Sequence, residues 1–262
     1  MLKAEYIRVS GLEEAIRGMR NPMNSWDKSD STDNPCELSP GENCDECMYV
    51  VPTESGRNAC GLTVQDKWSK LRDEFYLGPK DLELGKKLAM AGPVHGKFLR
   101  MIDVSMDITA PLYWWKEFDT YKVGTVANSC STMHKIHAKE FTLSDFSTEH
   151  LISVRSSEAD NFGDDVLPMT MMEWEIDLLN KCRELYLAEK DGARAKMFWW
   201  QLIQLLPSSY NQRRTVKFNY EVVRNMIQNR STHKLDEWQF FCGILRGLPY
   251  VYELGLCDGL TQ

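Results

Sequence analysis

The stretch that decides the fold is residues 206–237, LPSSYNQRRTVKFNYEVVRNMIQNRSTHKLDE, in which a basic turn precedes an amphipathic helix. At about 100° per residue, one face of this helix carries, within about 60°, Asn219, Val223, Met226 and Arg230. An amide and a guanidinium about 16 Å apart, with apolar groups between them, suit an extended ligand with an aromatic middle. The alternative interpretation is that Arg230 binds no ligand and instead caps the helix or forms a surface salt bridge.

A second stretch, residues 107–134 or DITAPLYWWKEFDTYKVGTVANSCSTMH, places aromatic residues ahead of a run of small polar ones. Residues 124–132 contain almost no bulk, so backbone amides there could approach an anion closely and the hydroxyls would add donors. The run is neither a Walker loop nor a GxGxxG fingerprint. No nucleophile stands out; Cys130 could be one, although a lone cysteine is more often a small buried residue. Together the two stretches predict a site for a large aromatic anion such as a nucleotide or a flavin.

Secondary structure follows from the spacing of apolar residues. Alternation over residues 99–109 predicts a strand, which Pro111 ends. Ser10 is placed to cap the first helix, and residues 120–134 are interpreted as an irregular stretch. Helices are predicted over residues 12–19, 79–91, 112–118, 169–187, 193–206, 219–230 and 234–245. The chain is therefore predicted to be α+β with helices dominating.

Composition limits the class of protein. The 262 residues, 43% hydrophobic and 26% charged, are enough for a sizeable core in one large domain or two small ones. A net charge of −7 argues against a nucleic-acid polymer as partner. No apolar run approaches the roughly 20 residues that cross a bilayer, and the N-terminus shows no apolar signal core. We therefore expect a cytoplasmic protein without a membrane partner.

Half of the eight cysteines cluster early in the chain, as Cys36-x7-Cys44-x2-Cys47-x12-Cys60. They lie in residues 24–61, a stretch of turn-forming residues that is interpreted as an insertion outside the catalytic core. One CxxC with two loosely placed partners could bind zinc through four thiolates. The spacing is not that of a standard zinc knuckle, so unligated loop thiols are the favoured interpretation and zinc the alternative.

Both stretches resemble the flavin-dependent thymidylate synthases in order and spacing. The family signature R-H-R-x-x-S-x-N-E-x-S-x-R-Y falls, without gaps, on residues 120–133. Lys122, Thr125 and Cys130 are chemically related to the residues that they replace. Upstream, His95 falls on the first histidine of a second family element. Downstream, the resemblance rests on Leu206-Pro207, Arg213, Asn219 and Arg230, all in register.

The resemblance implies a helix-rich α+β fold with a central antiparallel sheet, formed by residues 1–262 as one domain with the cysteine-rich insertion. It also implies a homotetramer with shared active sites, bound FAD, NADPH as reductant and methylenetetrahydrofolate as carbon donor. The implied reaction converts dUMP to dTMP, so the partners would be a small-molecule nucleotide and a folate. The aromatic run Tyr113-Trp114-Trp115 and the pair Trp199-Trp200 are expected to supply subunit contacts.

The resemblance also assigns roles to individual residues. The cofactor-binding positions are His95, Lys122, Thr125, Asn128 and Asn219. The substrate-binding positions are Cys130, Ser131, Thr132, Arg213 and Arg230, of which Arg230 is also catalytic. In the family, the arginine of the turn and the signature residues hold the nucleotide phosphate and the flavin. Thr120 and Thr132 stand where the signature has arginine, and the cations that could replace the charge lost at the phosphate are Lys116, Lys122 and Arg214. The alternative function is a non-catalytic or altered-specificity flavin or nucleotide binder, for example one that acts on dCMP.

Overall fold

A computed structural model of the chain describes residues 2–33, 75–162 and 166–257, together with the backbone of 50–52 and 58–60. Cys36, Cys44 and Cys47 lie outside the described residues, as does the side chain of Cys60. The cysteine-rich insertion and its zinc alternative therefore stay predictions. Elsewhere in the described chain, no group of three or more side chains could hold a metal ion.

The described chain contains α-helices and two β-sheets. The strands are β1 (Lys3–Ser10), β2 (Val50–Pro52), β3 (Asn58–Cys60), β4 (Asp103–Pro111), β5 (Thr125–Ser129) and β6 (Asn211–Asn219). The helices are α1 (Leu12–Arg20), α2 (Pro79–Met90), α3 (Leu112–Phe118), α4 (Thr132–Lys135), α5 (Pro168–Ala188), α6 (Gly192–Leu205), α7 (Tyr220–Arg230) and α8 (Asp236–Arg246). The larger, antiparallel sheet has the order β1-β4-β6-β5, and β2 pairs with β3. The predicted α+β class is confirmed.

Each predicted helix is present, because its start and stop signals are local. Asp191 caps α6 by accepting hydrogen bonds from the backbone N–H groups of Ala193 (2.8 Å) and Arg194 (3.2 Å). Asn219 caps α7 in the same way through the N–H of Val222, at 3.2 Å. Such caps satisfy donors that a helix leaves unpaired at its first turn.

The chain before α1 differs from the prediction. Ser10 belongs to β1, which was not predicted, and does not cap α1. The capping residue is Gly11, which has a φ of +83°. A Cβ atom at Gly11 would lie 2.1 Å from the carbonyl oxygen of Met101, so both the backbone angle and the close approach require glycine.

Three further segments differ from the predictions. The strand predicted over residues 99–109 begins only at Asp103, because Gly96–Met101 forms a 3-10 helix. The irregular stretch 120–134 contains β5 and α4, and the basic turn is mostly β6. The sequence of β6 shows no clear alternation of apolar and polar residues, because the buried residue Gln212 is polar. Its amide is satisfied, since it donates to the Cys130 carbonyl oxygen and accepts from Arg214 Nε, both at 2.9 Å.

Contacts divide the chain into two compact units. The described residues of Met1–Lys3, Ile108–Thr120 and Asn128–Thr215 form unit 1, and those of Ala4–Asp107, Tyr121–Ala127 and Val216–Gln262 form unit 2. A single domain over the whole chain stays a prediction. None of the helices in the described ranges has the length and apolar character that crossing a bilayer requires, and the cytoplasmic location also stays a prediction.

Unit 1 buries the aromatic run of α3. The exposed fractions of Trp114 and Trp115 are 0% and 1%, and the two rings meet edge to face at 5.0 Å. Trp115 Nε1 also donates to the Gln212 carbonyl oxygen at 2.9 Å. This pair therefore belongs to the core and cannot supply the predicted subunit surface, because folding has already buried its apolar area. Trp200, in contrast, is 42% exposed.

Unit 2 contains a buried ion pair between α1 and α2. Arg20 Nε donates to Asp81 Oδ1 at 2.5 Å, and both side chains are shielded from water. The other carboxylate oxygen accepts hydrogen bonds from the hydroxyls of Ser29 (2.6 Å) and Ser31 (2.7 Å) and from the backbone N–H of Asp30 and Ser31 (3.2 Å each). Asp81 thus fixes residues 29–31 on the start of α2.

Candidate functional site

In unit 2, two aromatic rings surround the guanidinium of Arg230. Its carbon lies 5.2 Å from the Trp238 ring centre and 5.8 Å from that of Tyr121, within range for cation–π attraction. Its Nε donates to the Tyr121 hydroxyl at 3.2 Å. Arg230 is half-buried at the end of α7, so its fork is held in a defined orientation.

The predicted ligand face of α7 is only partly available. Val223 and Met226 lie between Asn219 and Arg230 as predicted, but both are fully buried. The apolar middle of the stripe therefore stabilises the core of unit 2 and cannot contact an extended ligand. The reason is that burying such side chains contributes about 1.5–3 kcal/mol each to folding.

Asn219 packs against the segment that the signature covers. A Cβ atom at Gly124 would lie 2.6 Å from Asn219 Nδ2, and the φ of Gly124 is +77°. The next residue, Thr125, has a buried hydroxyl that makes no hydrogen bond within the described part of the chain. A buried hydroxyl without a partner is costly, so this atom is available for a ligand acceptor or donor.

Unit 1 contains a cavity of about 220 Å³ beside β5 and β6. Its wall includes all four substrate positions predicted in this unit, namely Cys130, Ser131, Thr132 and Arg213. The two strands hold them together, because the backbone N–H of Cys130 donates to the Arg213 carbonyl oxygen at 2.9 Å. Residues 83 positions apart in sequence thereby share one site.

The cavity is positively charged. Three cationic side chains line it, Lys135, Lys139 and Arg213, against the single carboxylate of Asp145. Tyr210 adds a hydroxyl. Burial raises the pKa of Tyr210, and the nearby Asp145 carboxylate and Cys130 thiol raise this pKa further. The phenol therefore stays protonated at neutral pH and can donate a hydrogen bond to an anion.

The remaining cofactor positions, His95, Lys122 and Asn128, have exposed side chains. His95 precedes the 3-10 helix of unit 2, and Asn128 lies in β5. Their ligand contacts stay predictions.

A second cavity, of about 470 Å³, lies in unit 2 next to α7. Asn225 and Gln228 present neutral amides to it, and Met90 and Pro93 present apolar surface. Arg224 also lies in the wall of this cavity, but its charge is paired with a carboxylate. The Arg224 guanidinium donates to Glu221 Oε1 and to the Ala89 carbonyl oxygen, both at 2.8 Å. Such a wall suits an uncharged heteroaromatic ring.

Sequence reasoning missed three kinds of site residue. The sequence alone assigns no role to Trp238 or to Tyr121, which occupies the position of the signature histidine. Lys135 and Lys139 follow the signature, so the resemblance assigns no role to them. A basic i, i+4 pair directly after a run of small residues was the available signal for these lysines.

The fold is similar, over nearly the whole chain, to the fold of solved flavin-dependent thymidylate synthases. Two of these structures are thymidylate synthase X from Helicobacter pylori with FAD and dUMP. They have TM-scores of 0.56 and 0.55 and 14% sequence identity, and the alignments cover 98% and 99% of this chain and 100% of those chains. No protein-family model and no curated protein sequence matches the chain. At 14% identity the likeness is one of fold.

Proposed function

We propose that the protein is a flavin-dependent methyltransferase that converts dUMP to dTMP with methylenetetrahydrofolate and NADPH. The observation that carries this proposal is the unit 1 cavity, whose wall contains every predicted substrate position of that unit. The solved structures of the same fold contain FAD and dUMP, which supports the ligand class.

Arg230 has the central chemical role in this proposal. A guanidinium can pair with the O2 and N3 edge of a pyrimidine and stabilise the negative charge that develops on the ring. Tyr121 and Trp238 hold the guanidinium in one orientation, which reduces the entropy lost when the base binds. Arginine suits this role better than lysine because its fork is planar and rigid.

The residues of unit 2 fit a flavin. The buried Thr125 hydroxyl lacks a hydrogen bond within the described residues, and the second cavity offers the amides of Asn225 and Gln228 to a ring edge. Gly124 lets Asn219 approach the backbone next to Thr125 closely. When bound, FAD would supply the reducing chemistry that no side chain here provides. The protein would supply binding, orientation and shielding from water.

We expect the purified protein to be yellow, with an absorbance band at about 450 nm and FAD as the released ligand by mass spectrometry. Thr125→Val should weaken FAD retention about five- to tenfold, because it removes one hydrogen-bonding hydroxyl at constant volume. The melting temperature of the flavin-free form should not fall, since this hydroxyl has no partner within the described chain. A protein that stays colourless after incubation with excess FAD would contradict the flavin assignment and leave the nucleotide-binding alternative.

The proposed homotetramer has an apolar surface to form it. One face of α5 exposes a row of large side chains, with exposed fractions of 38–54%: Met171, Trp174, Leu178 and Leu185. Spacings of three, four and seven residues place them within about 60° on the helix. Exposed apolar stripes of this kind are typical of subunit interfaces.

We expect light scattering to give a mass about four times that of the 30.3 kDa chain. Trp174→Glu should lower this mass, because it places a charge in the apolar row. Phe240→Glu is the matched control, since Phe240 is 51% exposed but lies on α8, outside the row. A wild-type mass near that of one chain at micromolar concentration would refute the tetramer.

A further inference from the structure

The two signature arginines that Thr120 and Thr132 replace leave open which cation would neutralise a nucleotide phosphate. Arg214 is not available for this. Its Nη1 donates to both carboxylate oxygens of Asp119, at 2.8 and 3.1 Å, and its guanidinium stacks 4.2 Å from the centre of the Trp115 ring. The Nε of Arg214 donates a hydrogen bond to Gln212 Oε1 at 2.9 Å. Arg214 therefore stabilises unit 1 and has little capacity left for a ligand.

Two lysines that follow the signature lie in the wall of the unit 1 cavity. Lys139 forms an ion pair with Asp145, which also accepts hydrogen bonds from the backbone N–H of Thr142 (2.9 Å) and its hydroxyl (3.1 Å). The charges of Lys139 and Asp145 therefore offset each other. Lys135, at the end of α4, has no carboxylate partner among the described residues. The charge of Lys135 is therefore not offset by a carboxylate in the described part of the chain.

We propose that Lys135 is the principal cation for a phosphate monoester in this cavity, acting with Arg213 and with the hydroxyls of Ser131, Thr132 and Tyr210. This inference rests on the proposed function for the identity of the nucleotide, whereas the binding of the phosphate itself does not. Lys135 thereby takes over the role that the signature gives to an arginine.

The size of the cavity agrees with a phosphate and not with a whole nucleotide. Complete small-molecule sites usually measure about 300–1,000 Å³. The cavity of about 220 Å³ lies below that range, so it accommodates one end of a larger ligand. The positive charge of its wall identifies that end as the anionic one.

Cys130 provides a direct assay, because its thiol is exposed and lies in the same wall. The rate of Cys130 alkylation by iodoacetamide, a neutral reagent, is measured by peptide mass spectrometry with and without inorganic phosphate. We expect millimolar phosphate to slow the reaction at least threefold in the wild type. Lys135→Gln should abolish this protection, and Lys196→Gln should retain it. Lys196 is also an exposed lysine, and it lies on α6, outside the residues that line the cavity.

Calorimetry with dUMP and deoxyuridine tests the same residue on a nucleotide. Lys135→Gln should lower the affinity for dUMP about ten- to a hundredfold, the usual effect of losing one charge-assisted hydrogen bond. The affinity for deoxyuridine should change less than twofold, since it carries no phosphate. Lys196→Gln should affect neither ligand, and all three proteins should melt at the same temperature.

Phosphate that fails to slow alkylation of the wild type, or slows it equally in Lys135→Gln, overturns the inference. So does a Lys135→Gln variant that binds dUMP as tightly as Lys196→Gln does. Failure of the proposed function would look different. The protein would then bind no flavin and make no dTMP, while phosphate would still protect Cys130 in a manner that depends on Lys135.

Discussion

Replacing Arg230 with alanine is expected to lower the rate of methyl transfer about a hundredfold or more, the usual cost of removing one preorganised donor to a developing negative charge. The fold should persist, because Arg230 is only half-buried and the neighbouring Met226 and Ile227 carry the core contacts of α7. The flavin content should also stay near that of the wild type. The measurements are the initial rate of dTMP formation, the absorbance spectrum and the melting temperature.

Two further substitutions separate charge, shape and orientation at this site. Arg230→Lys should recover little activity, because an ammonium cannot reproduce the planar fork. Tyr121→Phe removes only the hydroxyl that accepts from Arg230 Nε and keeps the ring beneath the guanidinium. We expect a fall in kcat of about fivefold with a small change in KM, because orientation is lost while the charge remains.

Other outcomes would give Arg230 a different role. If Arg230→Ala unfolds the protein, the aromatic contacts of the guanidinium serve stability. If the variant keeps full nucleotide binding and turnover, α7 does not carry the catalytic group.

Replacing Asp81 with asparagine is expected to lower the free energy of unfolding by about 3–5 kcal/mol, as for other buried ion pairs that lose one partner. Arg20 would be left with an uncompensated charge, since its exposed fraction is 5% and that of Asp81 is 0%. Urea unfolding measures the change. Glu83→Gln is the matched control, because Glu83 pairs with Lys87 on the same helix but at the surface, and we expect no measurable loss there.

The same pair predicts how stability depends on pH. Burial alone would raise the pKa of Asp81, but hydrogen bonds from Ser29, Ser31 and Arg20, together with the charge of Arg20, outweigh it and hold this pKa below the usual 3.8. A carboxyl with a lowered pKa in the folded state stabilises the protein above the pKa of the unfolded state. That stability is lost as the pH falls through the lower, folded pKa.

Wild type and Asp81→Asn should therefore differ most at neutral pH and approach each other below about pH 3.8. A stability difference that stays constant down to acid pH would show that the Asp81 charge contributes nothing.

The sequence by itself determined the helices and the fold class. Periodic apolar residues, together with Pro79 and Pro168 at helix starts and Asn219 as a cap, are local signals, and each acts within one or two turns of its own helix. The same signals placed Asn219 and Arg230 at the two ends of α7. The resemblance to the thymidylate synthase family then assigned a cofactor-binding role to Asn219 and a catalytic role to Arg230.

Only the tertiary structure decided where the strands pair and which side chains meet. β6 looked like a turn because its buried Gln212 is polar, and its amide is satisfied only by Cys130 and Arg214. The cavity joins Lys135 to Arg213, and the aromatic contacts of Arg230 come from Tyr121 and Trp238. Period and propensity describe one segment at a time. Pairing between strands and the choice of a partner for a charge depend on residues far away in sequence, so no local pattern could specify them.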